Sequence, residues 1–373
     1  MAETQVPTVS SLPDPTSPAA GRDVASVRRR RRLWNTVRGI LLPLAAIALA
    51  LLVSGLILLI AGYNPVLAFK VMWQGAFGDL RSISEVLLKA TPLILIGAGL
   101  AVAFRCSIWN IGAEGQFYLG AVFSTIVGIF LADLPALILI PLILVLGMLG
   151  GALWAMLAAY LKVRFGASEI VTTIMLNYIA IIGTGYLVTG PLIEEVGKFP
   201  QTARIAEAAW LPRFLPPTRL HIGFIIAVVL AVLIYLLIFK TSTGYAIRAV
   251  GINPEAARYA GMSVEGNLLL AMAISGGAAG LAGAIEVAGL TYRLYQQISP
   301  GYGFEGIAVA LLANTNPLGV IFSGILFGAL RSGSEVMQMN AKVPSVLVFA
   351  IQGLVILSVV AFGAYRMYTS RGE

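Results

Sequence analysis

The chain has 373 residues, 58% of them hydrophobic and 11% charged, with a formal net charge of +8 and a mean hydropathy of +0.90. A water-soluble globule cannot hide that much apolar side chain, so composition excludes the soluble classes and requires a membrane. A single cysteine and a single histidine leave no basis for disulfide frameworks, zinc sites or Cys/His dyads.

Residues 1–38 hold Pro, Ser and Thr but almost no cluster able to fold alone, and read as a disordered cytoplasmic tail. The tail carries arginines at 28–32 directly before the first apolar run, a juxtamembrane anchor that keeps this flank inside rather than a nucleic-acid contact. Tail and run are both too long for a cleaved signal peptide. Apolar runs at 39–61, 136–160, 170–190, 222–239, 268–289 and 343–364 each match the roughly 20 residues that a helix needs to cross hydrocarbon. They are continuous rather than alternating, which excludes a β-barrel. The expected fold is an all-α, polytopic membrane helix bundle of about eight to ten transmembrane helices, some broken or short, over residues 39–366. A cytoplasmic tail, 367–373, follows.

From an inside N-terminus, the first run leads to an outside segment, 62–85, where Trp73 and Phe77 fit an interfacial helix. Two spans broken near Arg105 come next, then one ending inside at Lys162 and Arg164. Another leads to a polar external loop, 191–220. The span at 222–239 returns inside at Lys240 and places residues 240–267 in the cytoplasm. Beyond 289 the apolar pieces become short and are interrupted by Gly, Pro and "NTNP", the trace of broken helices that line a pathway. A similar interruption falls at "RCSIWNIGAEGQFYLG".

Within the inside segment lies "GINPEAARYAGMSVEGN". Asn253 suits an N-cap, Pro254 the first helical position, and Glu255 the positive end of the helix dipole. Arg258 sits in the last turn and Gly261 at the C-terminal stop. The product is a polar helix of about two turns, roughly 10 Å long. Ala256, Ala257 and Ala260 leave its surface nearly bare for a partner protein. An ordinary capped helix lying on the membrane is the competing reading.

"NPEAARYAG" resembles the EAA-type cytoplasmic loop of ABC importer permeases of the ribose, branched-chain amino acid and nucleoside branch. "WNIGAEGQFYLGA", "TTIMLNYIA", "SGGAAGLAGAIEVAG" and "GYGFEGIAVALLANTNPLGVI" resemble that branch in the same order, and "NIGAEGQ" with "MLNYIA" is most similar to purine-nucleoside importers of the simple-sugar type. The resemblance implies a coupling helix at Asn253, Pro254, Glu255, Ala256, Ala257, Arg258 and Gly261 that seats on a separate ATP-binding subunit, which would hold the ATP and Mg; this chain would bind no cofactor. It also implies a second permease chain, related or identical, an extracytoplasmic substrate-binding lipoprotein, and a small polar solute, nucleoside or simple sugar. The location implied is the bacterial plasma membrane with both termini inside.

Candidate pathway residues are polar or aromatic groups in apolar sequence: Trp109, Asn110, Glu114, Gln116, Asn177, Tyr178, Phe304 and Glu305. An intramembrane carboxylate is costly unless paired or wet, and amides with aromatic faces suit a polar, ring-bearing solute. A helix run through Asn110 and Glu114 would put both on one face. The same amides could simply hold helices together, and Glu305 could cap a helix instead of facing the pore. Glu169, after Ser168, reads as a helix start, and the stripe Gly276, Gly277, Gly280, Gly283 as close packing. An ion-coupled secondary transporter or channel would use the same broken helices but has no need of the polar loop. No protease or hydrolase signature is present, so an enzyme is not expected.

Overall fold

The computed structural model describes residues 48–194, 199–344 and most of 346–361. The two tails, the arginines at 28–32, Lys198 and parts of the first and last apolar runs lie outside these residues. Among the described residues the chain is helical, with no strand beyond two isolated bridges. Seven helices are long and apolar enough to cross a membrane, and two apolar helices are shorter.

Helix α1 (Ala48–Ile60) turns at Gly62 into α2 (Pro65–Phe77), which Asn64 starts by accepting from the Val66 and Leu67 amides, with Pro65 at the first helical position. Trp73 and Phe77 are exposed, with ring centroids 4.7 Å apart and planes tilted by 47°. That segment ends earlier than expected: Asp79 accepts from the Ser82 amide at 2.6 Å and opens α3 (Leu80–Arg105). The bond to Ser82 holds the Asp79 carboxyl below its usual range.

Helix α3 is the axis of the bundle. Every residue from Ala90 to Ala103 is buried, because α10, α11 and α12 cover it. The chain breaks at residues 106–112, where Ser107 takes a positive φ of 55°. It resumes as α4 (Ala113–Phe130), α5 (Ala136–Phe165) and α6 (Glu169–Thr189). Gly166, at φ 68°, stops α5 as a left-handed cap. Ser168 makes no side-chain cap bond; Glu169 instead pairs with Lys162 at 2.6 Å and ties α6 back to α5.

The described residues between α6 and α7 (Gly223–Lys240) are pinned to the chain that follows α10. Thr202 and Ile205 donate to the carbonyls of Leu294 and Tyr292, and Leu211 donates to Ala288. His221 is buried there, and its Nδ1 accepts from the Gly223 amide at 3.1 Å. Burial, with Arg213 adding repulsion, pushes its pKa down to about 4. At the other end of α7, α8 (Ser242–Ile252) and α9 (Pro254–Tyr259) precede α10 (Val264–Glu286), which ends in a π turn (Val287–Thr291).

The glycine stripe packs helices, as expected. A Cβ at Gly280 would lie 2.3 Å from the Gly147 carbonyl oxygen, and one at Gly120 2.0 Å from that of Gly280, so α4, α5 and α10 meet backbone to backbone. Helix α11 (Tyr302–Leu312) has 11 residues, about 16 Å, too short to cross. Asn314 and Thr315 turn the chain through positive φ, and Asn316 caps α12 (Pro317–Asn340).

Candidate functional site

Two places in the fold gather the residues that the sequence singled out. The first is α9. Asn253 Oδ1 accepts from the Ala256 amide at 3.0 Å, Pro254 fills the first helical position, and Gly261 adopts φ 81°, where a side chain would be strained. Arg258 pairs with Glu265 at 2.5 Å across the turn into α10. The expectation of a bare alanine face is corrected at Ala257, which is 3% exposed and packs inward. The outward surface carries Glu255, Ala256 and Ala260 together with Ile252 and Tyr259, exposed by 87% and 94%. Tyr259 was missed because a tyrosine in a polar helix gives no periodic signal.

Helix α8 was also missed, since its eleven residues have no apolar run. It fixes α9 to the bundle. Ser107 Oγ donates to the Gly251 carbonyl at 2.6 Å, and a Cβ on Gly251 would stand 1.9 Å from the Arg105 carbonyl oxygen. At its start, a Cβ on Gly244 would stand 2.0 Å from the Leu237 carbonyl oxygen. Helix α9 is thus joined through α8 to the ends of α3 and α7 by backbone contacts, and through the Arg258–Glu265 pair to α10.

The second place is the start of α4. Asn110 is in the irregular segment, not on a helix with Glu114, so the one-face expectation fails: α4 begins only at Ala113. Asn110 and Gln116 exchange two bonds of 2.8 Å. Asn110 also donates to Ser275 Oγ at 2.9 Å and accepts from the Gly112 amide. Asn177, on α6, accepts from the Gly115 amide at 2.8 Å and donates to the Ile111 carbonyl at 2.9 Å. Gly112 supplies no side-chain cap, so Asn110 and Asn177 take over the orphan amides of this helix start. The three amide side chains are buried and occupied by protein partners; they hold α4, α6 and α10 together.

Glu114 performs the same service for α11. Its carboxylate accepts from the Gly303 amide at 2.7 Å, while Ser299 Oγ accepts from the Gly301 and Tyr302 amides. Two helix N-termini thus meet inside the bundle, each with an acidic residue in its first turn, Glu114 and Glu305. Glu305 pairs with Arg331 of α12 at 2.8 Å, and Arg331 also donates to the Pro300 carbonyl and lies 4.8 Å from the Tyr302 ring. Arg331 escaped the sequence reading because its partner is 26 positions away.

The aromatic candidates are separate from this node. Trp109, Tyr178 and Phe304 are exposed, and Tyr178 lies on the open face of α6 with Ile182 and Tyr186 at four-residue spacing. That face runs into a cleft of about 330 Å³ lined by Ile182, Gly185, Tyr186, Thr189, Gln296 and Gln297. No group of three or more His, Cys, Asp or Glu able to hold a metal occurs among the described residues.

A multi-pass helical bundle with a broken, polar-capped centre and a short polar helix at one end defines the class as a membrane transport protein. Residues 82–360 match the family described as branched-chain amino acid transport system / permease component, and the chain belongs to it; it is an ABC transporter permease component. It is 38% identical over 331 residues, 88% of this chain and 94% of the relative, to the guanosine ABC transporter permease protein NupP of Bacillus subtilis. It is 34% identical to the nucleoside ABC transporter permease protein NupB of Lactococcus lactis, with 88% of this chain and 93% of that one covered. To the glucose ABC transporter permease protein TsgB13 of Haloferax volcanii it is 35% identical, with 87% and 88% covered. No solved structure matches.

Proposed function

We propose that the chain is the membrane-crossing permease subunit of an ATP-driven importer for nucleosides or simple sugars. In this reading α9 seats on a separate ATP-binding subunit that holds ATP and Mg, and both termini face the cytoplasm. A second permease chain completes the pathway, and an extracytoplasmic binding lipoprotein delivers the solute. The observation that carries the coupling is the mounting of α9: an exposed, capped six-residue helix joined to three spans by backbone contacts and an ion pair. The printed names of the relatives support a nucleoside or sugar as solute.

The path for the solute follows the open face of α6, where Tyr178, Tyr186, Gln296 and Gln297 offer stacking surface and amides. The saturated Asn110, Gln116 and Asn177 serve as its frame, and Trp109 and Phe304 complete the exposed aromatic set. The test is uptake of labelled guanosine and glucose in cells expressing the complete system. Uptake that survives collapse of the proton gradient and stops when the ATP-binding subunit is deleted supports the proposal. Uptake that follows the gradient and ignores the deletion assigns the chain to the ion-coupled transporters.

A further inference from the structure

At the end of the bundle that carries α8 and α9, two arginines share one aromatic ring. The Arg105 guanidinium carbon lies 4.8 Å from the centroid of Phe239 and that of Arg248 lies 5.4 Å from it, so the two cations are within about 10 Å of each other. Neither takes part in any ion pair of the described residues. Arg105 spends its Nε on the Thr315 carbonyl at 2.8 Å, and Arg248 donates from Nε to the Gly244 carbonyl at 3.4 Å. The terminal nitrogens of both are left with no protein acceptor among the described residues. Lys240, one position after Phe239, is exposed and likewise unpaired there.

We propose that Arg105 and Arg248 form a binding site for a phosphate anion, supplied by the headgroup of an acidic phospholipid. Two like charges held half-buried repel each other, and an anion between them turns that repulsion into two attractions. Guanidinium forks with free terminal N–H groups match phosphate oxygens better than a point charge would. Position selects the lipid over a carboxylate on the ATP-binding subunit. Phe239 lies in the last turn of an apolar crossing helix and Arg105 at the end of another, which is headgroup depth. Basic pockets between helix ends at the cytoplasmic surface are suited to anionic headgroups. The assignment to the inner leaflet rests on the orientation proposed above; the site itself does not.

The purified full-length chain in neutral detergent is titrated with phosphatidylglycerol, with phosphatidylcholine and with inorganic phosphate, and retained molecules are counted by native mass spectrometry. Arg248→Gln is the primary variant, because Arg105 also supports the turn before α12; size-exclusion chromatography checks that the variant is monodisperse. The expected result is a preference for phosphatidylglycerol that falls roughly fivefold in Arg248→Gln and less in Arg248→Lys. Insensitivity of that preference to millimolar phosphate identifies the lipid as the source. Displacement by phosphate, with phosphate binding lost in Arg248→Gln, keeps the site but assigns it to the free ion and overturns the lipid. Equal preference in wild type and Arg248→Gln overturns the site. No partner subunit is present in the titration, so its failure is separate from failure of the coupling proposal.

Discussion

Substitution of Gly251 by alanine tests the mechanical link between α9 and the bundle. The added Cβ would stand 1.9 Å from the Arg105 carbonyl oxygen and 3.0 Å from the Cys106 Cα, while an unstrained carbon–oxygen contact needs roughly 3.3 Å. Both neighbours are backbone, so relief requires α8 to lift by roughly 1 Å or more. Overpacking of this kind costs about 1–3 kcal/mol. Set against the coupled arrangement, that corresponds to about a 5- to 150-fold loss of coupling. Uptake in cells with the complete transporter should fall by at least fivefold at unchanged membrane abundance. Gly353→Ala is the control, since a Cβ there meets nothing within 4 Å; its uptake should match wild type. Wild-type uptake by Gly251→Ala would refute the claim that α8 transmits motion through this contact.

Asn177→Leu strands the Gly115 amide and the Ile111 carbonyl. It should lower stability by about 1–3 kcal/mol for each group, read as a drop in Tm in detergent. Tyr178→Ala, on the open face, should leave Tm unchanged and reduce uptake. Glu305→Gln should destabilise by about 3 kcal/mol, because it leaves the buried Arg331 uncompensated, and Arg331→Met by less, because Glu305 is partly exposed. The double variant should recover most of the loss in the same melting assay. His221 has its folded pKa lowered to about 4 from about 6.5 when unfolded. Its contribution to stability is therefore complete above pH 6.5 and shrinks as pH falls toward 4, by about 2 kcal/mol at pH 5. Melting of His221→Asn should show a correspondingly smaller decline between pH 7 and pH 5.

Much of the fold was legible because lipid imposes long apolar runs: 136–160, 170–190, 222–239 and 268–289 each fall within or closely match an observed helix. The buried axis α3 was legible only as a span of unmarked start, since its interface helix and Asp79 cap look alike in composition. Helix α8 and the inward turn of Ala257 were hidden because both depend on the ends of α3 and α7, which lie far away in sequence. The polar residues of the centre were found from their cost in an apolar setting, but not their roles. Asn110, Gln116 and Asn177 cap and bridge helix ends, a function set by the break at 106–112 rather than by the residue types. Glu305 was recognisable as needing a partner; only the packing of α12 against α11 identifies Arg331.

The central claim is that α9 is the seat of a separate ATP-binding subunit. Cys106 is the only cysteine and is buried, so Tyr259→Cys adds one accessible thiol to an otherwise unreactive surface. A thiol-to-amine cross-linker applied to the assembled transporter should join Tyr259→Cys to the ATP-binding subunit. A matched thiol at the exposed Phe214, at the opposite end of α7, should give no such product. Cross-linking of that subunit through Phe214→Cys but not through Tyr259→Cys would contradict the account.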